Sequence, residues 1–282
     1  MSNKLKTLLH DILAPGERQI VFSSYDVIGD IIIMKIPNSL LYKKHAIGKR
    51  LLENIQSAKS VFLQTSSVQG DFRLRKLELL AGANQTVTEY REHGCRFKVD
   101  VSEVYFSPRL STERRRIAEL VKEGEIITNM FAGVGTFSIL IAKMNPSSKV
   151  FSIDSNPKAN VLCLTNAKLN RVQDRVFPFC GDAKYIAGNI LSGLSHRVLM
   201  PLPEKAKRFV DSAVACVGTN RGFVHYFAHV RASDKKDAVN EGKLDSAEAF
   251  KRYNHIIGTT RVVREVGPRL YQIVSDVLVA GR

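Results

Sequence analysis

The chain has 282 residues, 44% of them hydrophobic and 24% charged, with 42 Lys plus Arg against 27 Asp plus Glu and a formal net charge of +15. That apolar fraction can bury a core and excludes a disordered chain, while the cationic excess points to nucleic acid as a partner rather than to a merely basic enzyme surface. Cys95, Cys163, Cys180 and Cys216 form no C-x-x-C pair and no apolar run approaches about 18 residues. A zinc site, a disulfide framework and a membrane span are therefore not expected, and a cytoplasmic chain is.

In chain order, a short helix is expected over 4–13, stopped by Ala14-Pro15-Gly16. Residues 20–22 and 29–36 read as strands, the second ended by Pro37. Leucines and isoleucines at mixed three- and four-residue spacing over 41–55 predict an amphipathic helix bearing Lys43, Lys44, Lys49 and Arg50. Residues 61–64 begin a strand, 72–80 fit either element, and 87–91 pairs with 95–101 around His93-Gly94. In the junction V-Y-F-S-P-R-L-S-T-E-R-R-R (104–116), Pro108 breaks the strand and Ser111 or Thr112 is placed to cap a helix over 113–122. On composition alone, Glu113 is there a partner of the helix dipole.

The remainder is organised around Ile126-Ile127-Thr128, a β-prone run leading into Phe131-Ala132-Gly133-Val134-Gly135 and a helix from Phe137. Gly133 and Gly135 allow backbone to approach a ligand closely, and the helix start offers free N–H groups. The next strand, 149–154, ends in Asp154 about 20 residues on, where such folds hold a ribose. Helix 157–169, strand 176–180 with Gly181-Asp182-Ala183 and strand 197–200 with Pro201-Leu202-Pro203 follow. Then come helix 204–216, strand 222–227, a polar loop over 234–237, helix 244–257 and strands 261–265 and 272–279. Such alternation predicts an α/β domain with a mostly parallel sheet. Gly133, Gly135, Asp154, Asp182 and Pro201 would lie beyond its carboxyl ends, where ligands bind. A nicotinamide site is weakened by Ser138 in the third glycine position, and no G-K-[ST] follows for a P-loop. The nucleoside site of a class I S-adenosylmethionine (AdoMet) methyltransferase remains.

The segments V-Y-F-S-P-R-L-S-T-E-R (104–114), N-M-F-A-G-V-G-T-F-S-I (129–139), D-S-N-P-K-A (154–159), G-D-A (181–183) and M-P-L-P-E-K-A (200–206) together closely resemble the archaeal and eukaryotic tRNA (guanine-37 N1)-methyltransferase family. The resemblance implies an α/β chain: a Rossmann-like class I AdoMet methyltransferase domain over 109–282, preceded by a smaller α+β tRNA-binding domain over 1–108. It implies AdoMet as cofactor, the anticodon stem-loop of tRNA as partner, and neither metal nor membrane; oligomeric state is left open. By its motifs Asp154 would bind the AdoMet ribose, Asp182 the adenine amine, Gly133 and Gly135 would pack under the methionine part, and Phe131 and Asn156 would line the pocket. Arg73 matches the arginine that bonds the target base at O6, Glu113 the proposed general base, and Tyr105 a tyrosine near the active site. Composition alone leaves Arg73 as a strand-edge phosphate contact.

The chain departs from the family pattern in three ways. Pro201 stands where N-L-P would have asparagine, and proline offers neither a side-chain amide nor a backbone N–H to orient a base edge. Members with proline there are associated with wyosine biosynthesis and methylate C7 of 4-demethylwyosine at position 37, some also guanine N1. The chain also starts where the family's second domain starts, so the small domain that senses tRNA shape is expected to be missing. Asn129 and Thr136 replace an aspartate and a proline of the glycine turn, which would modestly weaken AdoMet affinity. The expected activity is methylation of the tricyclic base, with guanine N1 reduced or absent. The alternatives are a strict guanine-37 N1 enzyme, an aminocarboxypropyl transferase on the same base, and a non-catalytic tRNA binder. An RNA cytosine-C5 methyltransferase would need a cysteine near Pro201-Leu202-Pro203, which is absent.

Overall fold

The computed structural model describes residues 2–21, 25–66, 68, 70–218 and 221–280, so Phe22, in the expected 20–22 strand, lies outside them. The chain forms two compact units, Met1–Pro108 and Arg109–Arg282.

The first unit opens with α1 (Ser2–Leu8) and α2 (Pro15–Ile20). Ile20 thus ends a helix instead of starting a strand. Pro15 is preset for a first helical turn and Glu17 accepts the Ala14 N–H at 2.7 Å, and this local initiation outweighs one β-branched pair. An unforeseen strand, β1 (Tyr25–Ile28), pairs antiparallel with β2 (Ile31–Met34). A 3-10 turn, Asn38–Lys43, leads into α3 (Lys44–Asn54), so the expected 41–55 helix becomes α-helical only from Lys44. Strand β3 (Ser60–Gln64) lies parallel to β2, and the ambiguous 72–80 stretch resolves into a turn followed by β4 (Leu77–Gly82), antiparallel to β3. Leu5, Ile47 and Leu51 from the helices, with Leu9 just past α1, close over Ile32, Met34, Val61 and Leu63. β5 (Val87–Glu92) and β6 (Cys95–Asp100) pair antiparallel around His93 and Gly94, both at positive φ.

The second unit runs α4 (Ser111–Leu120), β7 (Ile126–Asn129), α5 (Thr136–Met144), β8 (Lys149–Asp154), α6 (Pro157–Leu169), β9 (Val176–Cys180), a one-turn α7 (Ala183–Tyr185), β10 (Arg197–Met200), α8 (Val210–Cys216), β11 (Arg221–Arg231), α9 (Lys235–Phe250), β12 (His255–Gly267) and β13 (Leu270–Ala280). Its sheet has the order β12-β13-β11-β10-β7-β8-β9. Strands β11 to β9 are mutually parallel, and β13 is antiparallel to both β11 and β12. Successive connections leave β7 in opposite directions, making the β7/β10 boundary the topological switch point, outside whose carboxyl ends ligands bind. Met130, Ile153, Val198, Met200, Val224, Tyr226, Ile273 and Val277 face Val210, Ala213, Val214, Ala238 and Phe250. Because side chains alternate along a strand, Ile127, Asn129, Leu199, His225 and Asp276 turn to the opposite face.

Four local expectations change here. Helix α4 starts behind the 3-10 turn Pro108–Leu110, with Leu110, rather than Ser111 or Thr112, at the cap position. The expected 204–216 helix is a 3-10 turn, Ala206–Phe209, followed by α8. The polar 234–237 stretch is a helix start: the Asp234 carboxylate accepts the N–H groups of Lys236 and Asp237 at 2.7 and 2.9 Å. Helix α9 consequently ends at Phe250, and 255–257 open β12. No described helix is long and apolar enough to cross a membrane.

Candidate active site

Beyond β7 the chain bends across the carboxyl edge of the sheet. Met130 N–H donates to Leu199 O (3.0 Å), Ala132 N–H to Ile153 O (2.8 Å) and Gly135 N–H to Ala132 O (2.9 Å). Gly133 and Gly135 are left-handed, at φ 55° and 88°. A Cβ on Gly135 would lie 2.6 Å from Cys163 Sγ and 3.0 Å from Ile139 Cδ1, so the turn tolerates no side chain there. Asn129, wholly buried, donates from its amide to Ser138 Oγ (3.2 Å), a brace between the end of β7 and the first turn of α5.

Asp154 closes this bend. Its Oδ2 accepts the Gly133 N–H at 2.7 Å and its Oδ1 the Asn156 N–H at 2.9 Å. Burial raises its pKa from the ordinary carboxylate value, and the two N–H bonds pull the other way. Each oxygen keeps a further lone pair, the pair of acceptors that the two hydroxyls of a vicinal diol require. The buried Asn156 side chain caps α6 by accepting the Lys158 N–H (3.0 Å), and its backbone N–H is the one that meets Asp154. Gly181 N–H donates to Asp154 O (3.0 Å), which brings the exposed Asp182 next to this corner, where its carboxylate also accepts the Lys184 N–H (2.6 Å). Phe131 stands edge-on to Phe209, centroids 4.9 Å apart, with Lys184 Nζ 5.4 Å from the Phe209 ring. A left-handed glycine bend, a diol-ready carboxylate, a second carboxylate and an aromatic wall fit a nucleoside-bearing cofactor. Sequence reasoning missed Phe209, since nothing in the spacing of the 204–216 run distinguishes its phenylalanine from a core residue.

Pro201 directly follows β10. Leu202 N–H is consumed by Met200 O (2.8 Å), and Lys205 and Ala206 N–H turn back to Leu202 O (3.1 and 2.9 Å). The start of the P-L-P turn therefore presents an apolar ring, with no N–H from Pro201 and none left over from Leu202.

Glu113 is 3% exposed. Its Oε1 accepts Arg116 Nε (2.9 Å) and Nη2 (2.7 Å), while Arg261 Nε approaches Oε2 at 3.8 Å. Burial raises its pKa, against the pull of Arg116. Arg116 in turn grips Asp276 through Nη1 (2.6 Å) and Nη2 (3.0 Å). This setting came from no sequence signal, because Asp276 lies 160 positions from Arg116.

In the first unit, Arg73 occupies a turn before β4 with a left-handed backbone (φ 57°), not a strand edge. Its guanidinium lies 4.0 Å from the Tyr105 ring centroid, with that of Arg75 at 5.6 Å. Arg75 also donates to Phe106 O (2.8 Å). A non-glycine residue held at positive φ stores strain of the kind found at functional sites. Among the described residues no cluster of metal-ligating side chains occurs.

Residues 88–254 match the TRM5/TYW2 methyltransferase domain and residues 5–86 the TYW2 N-terminal domain. The chain is 38% identical over 259 residues to the tRNA (guanine(37)-N(1))-methyltransferase Trm5b of Pyrococcus abyssi, covering 92% of this chain and 76% of that protein. It is 33% identical over 275 residues to the tRNA 4-demethylwyosine(37)-methyltransferase Taw21 of Saccharolobus solfataricus, covering 97% and 99%. Among solved structures, the complex of aTrm5 and tRNALeu superposes with a TM-score of 0.81 at 33% identity, over 99% of this chain and 76% of that one.

Proposed function

The chain belongs to the TRM5/TYW2 family of AdoMet-dependent tRNA methyltransferases, and on that premise we propose that its preferred target is carbon C7 of 4-demethylwyosine at position 37, beside the anticodon, with guanine N1 methylation reduced or absent. The observation that carries this reading is Pro201 at the carboxyl end of β10, next to the switch point. Guanine recognition at N1 and O6 favours a side chain that both donates and accepts at the base edge. Pro201 does neither, and the neighbouring Leu202 N–H is already spent on Met200. An apolar ring suits the face or rim of a larger, fused ring system. The end-to-end similarity to a protein named for methylating 4-demethylwyosine supports the same choice.

AdoMet supplies a methyl group on a sulfonium, whose S–CH3 bond breaks with its electron pair going to sulfur. Asp154 would hold the ribose hydroxyls, Asp182 the adenine amine, and the bend at Gly133 and Gly135 the methionine part, with Phe131 as wall. Arg73, whose guanidinium lies over the Tyr105 ring, matches the family's arginine for the base carbonyl. Glu113 would take the proton that leaves C7 as the new carbon–carbon bond forms, a service worth ~10²–10⁴-fold in rate. The first unit would hold the anticodon stem-loop.

The test is Pro201→Asn, assayed on tRNA carrying guanine-37 or 4-demethylwyosine-37. We expect the ratio of N1-methylguanosine to C7-methylated product to rise roughly tenfold or more, as an added edge contact discriminates between bases. An unchanged ratio would remove Pro201 as the determinant.

A further inference from the structure

Behind Glu113 lies a chain of buried polar groups that crosses three strands. Arg116 bridges Glu113 to Asp276, using Nε and Nη2 on the former and Nη1 and Nη2 on the latter. Asp276 Oδ1 also meets His225 Nδ1 at 2.6 Å. His225 Nε2 meets Arg197 Nη1 at 2.8 Å. Arg197 continues to Glu125 (Nε–Oε2 3.0 Å, Nη2–Oε1 3.2 Å) and to the Leu120 carbonyl (2.9 Å).

The hydrogen positions follow from chemistry. Guanidinium groups only donate, so His225 Nε2 must be the accepting nitrogen and Nδ1 must carry the proton given to Asp276. His225 is completely buried and burial lowers its pKa, consistent with this neutral form. Asp276 is held ionised by His225 and Arg116. Helix α4 is thus tied to the sheet at both ends: Glu113 and Arg116 near its start, the Leu120 carbonyl at its end.

The register places the Asp276–His225 end of this chain level with the carboxyl end of β7, and Arg197 at the amino end of β10. Asp276 lies opposite His225, His225 opposite Leu199, and Leu199 opposite Asn129, the last residue of β7. An apolar anchor would hold α4 at a lower desolvation cost than a buried ion network. A polar chain adds a fixed carboxylate orientation and a defined local charge.

We infer that Asp276 and His225 are positioning residues for methyl transfer, fixing Arg116 and offsetting its charge so that Glu113 is oriented and basic enough to accept the substrate proton. The inference rests on Glu113 as proton acceptor. The groups facing Glu113 are Arg116 on its own helix, Arg261 from β12 and Asp276 from β13; those facing His225 are Asp276, Arg197 from β10 and Arg116. Removing the Asp276 charge exposes Glu113 to an uncompensated Arg116, which favours its ionised form and weakens it as a base.

The experiment is single-turnover methyl transfer against pH for the wild type, Asp276→Asn, His225→Asn and Glu113→Gln, with AdoMet affinity measured in parallel. Asp276→Asn should lose roughly tenfold in plateau rate and move the acid limb down by about one pH unit, with AdoMet affinity unchanged. His225→Asn can set its amide N–H2 where Nδ1 stands, keeping a donor for Asp276, but puts no atom where Nε2 accepts from Arg197, and should show a smaller loss of the same kind. A purely structural role would lower the melting temperature and leave the acid limb in place. A wild-type limb and plateau in either folded variant overturns the inference, and His225→Asn decides it if Asp276→Asn does not fold. Full activity in Glu113→Gln would instead remove the general-base reading on which the inference rests.

Discussion

At the level of single residues, the site is built from carboxylates given different surroundings. Asp154 takes one backbone N–H on each oxygen and keeps room for two more donors, whereas Glu113 is clamped on one oxygen by a guanidinium. The place of Asp154 was legible in the sequence because it depends on local order: a strand end about 20 residues after a glycine turn. Glu113 was legible only as a matching motif position, since Asp276 and His225 reach it through strand pairing that no local pattern encodes. Asn156 stands at the same corner, where its side chain caps α6. Replacing Asp154 by Asn puts an amide N–H2 against the N–H of Gly133 or Asn156. Loss of one charge-assisted bond is expected to weaken AdoMet binding roughly 10- to 100-fold, with kcat at saturating AdoMet little changed. Calorimetric titration checks this, and wild-type affinity would contradict the assignment of Asp154 to the ribose.

At the level of elements, strands and helices with a clear period were readable, and their ends were not. Helix α6 is bounded as its Asn156-Pro157 start predicts, because a cap and a proline at the first helical position are local signals. The polar run at Asp234 hid a helix start, since the same aspartate that breaks a loop also caps a helix. Strand β11 outran its expected end because residues 228–231 pair with β13, a partner some forty positions away. The bend between β7 and α5 is the least forgiving element. Gly135→Ala would place a methyl 2.6 Å from Cys163 Sγ in a left-handed backbone, with α6 unable to yield without repacking. The expected cost is about 1–3 kcal/mol, read as a lower melting temperature and a smaller upward shift on adding AdoMet. An unaltered melt in both conditions would show that the bend is not held as described.

At the level of the whole molecule, the excess of 42 basic over 27 acidic residues gives a cationic surface suited to a polyanionic substrate, and family membership identifies that substrate as tRNA. The layered α/β architecture was legible from strand–helix alternation, while the two closing antiparallel strands, β12 and β13, were readable as strands but not in their direction. Composition says nothing of the target atom, which in this account depends on one proline beyond β10. The most direct measurement incubates the protein with AdoMet and tRNA bearing either guanine or 4-demethylwyosine at position 37, digests the product to nucleosides and weighs them by mass spectrometry. One added methyl group on the tricyclic nucleoside is expected, with S-adenosylhomocysteine as coproduct and little or no N1-methylguanosine. Methylation of unmodified guanine alone would contradict it, as would release of methylthioadenosine with an aminocarboxypropyl group on the base.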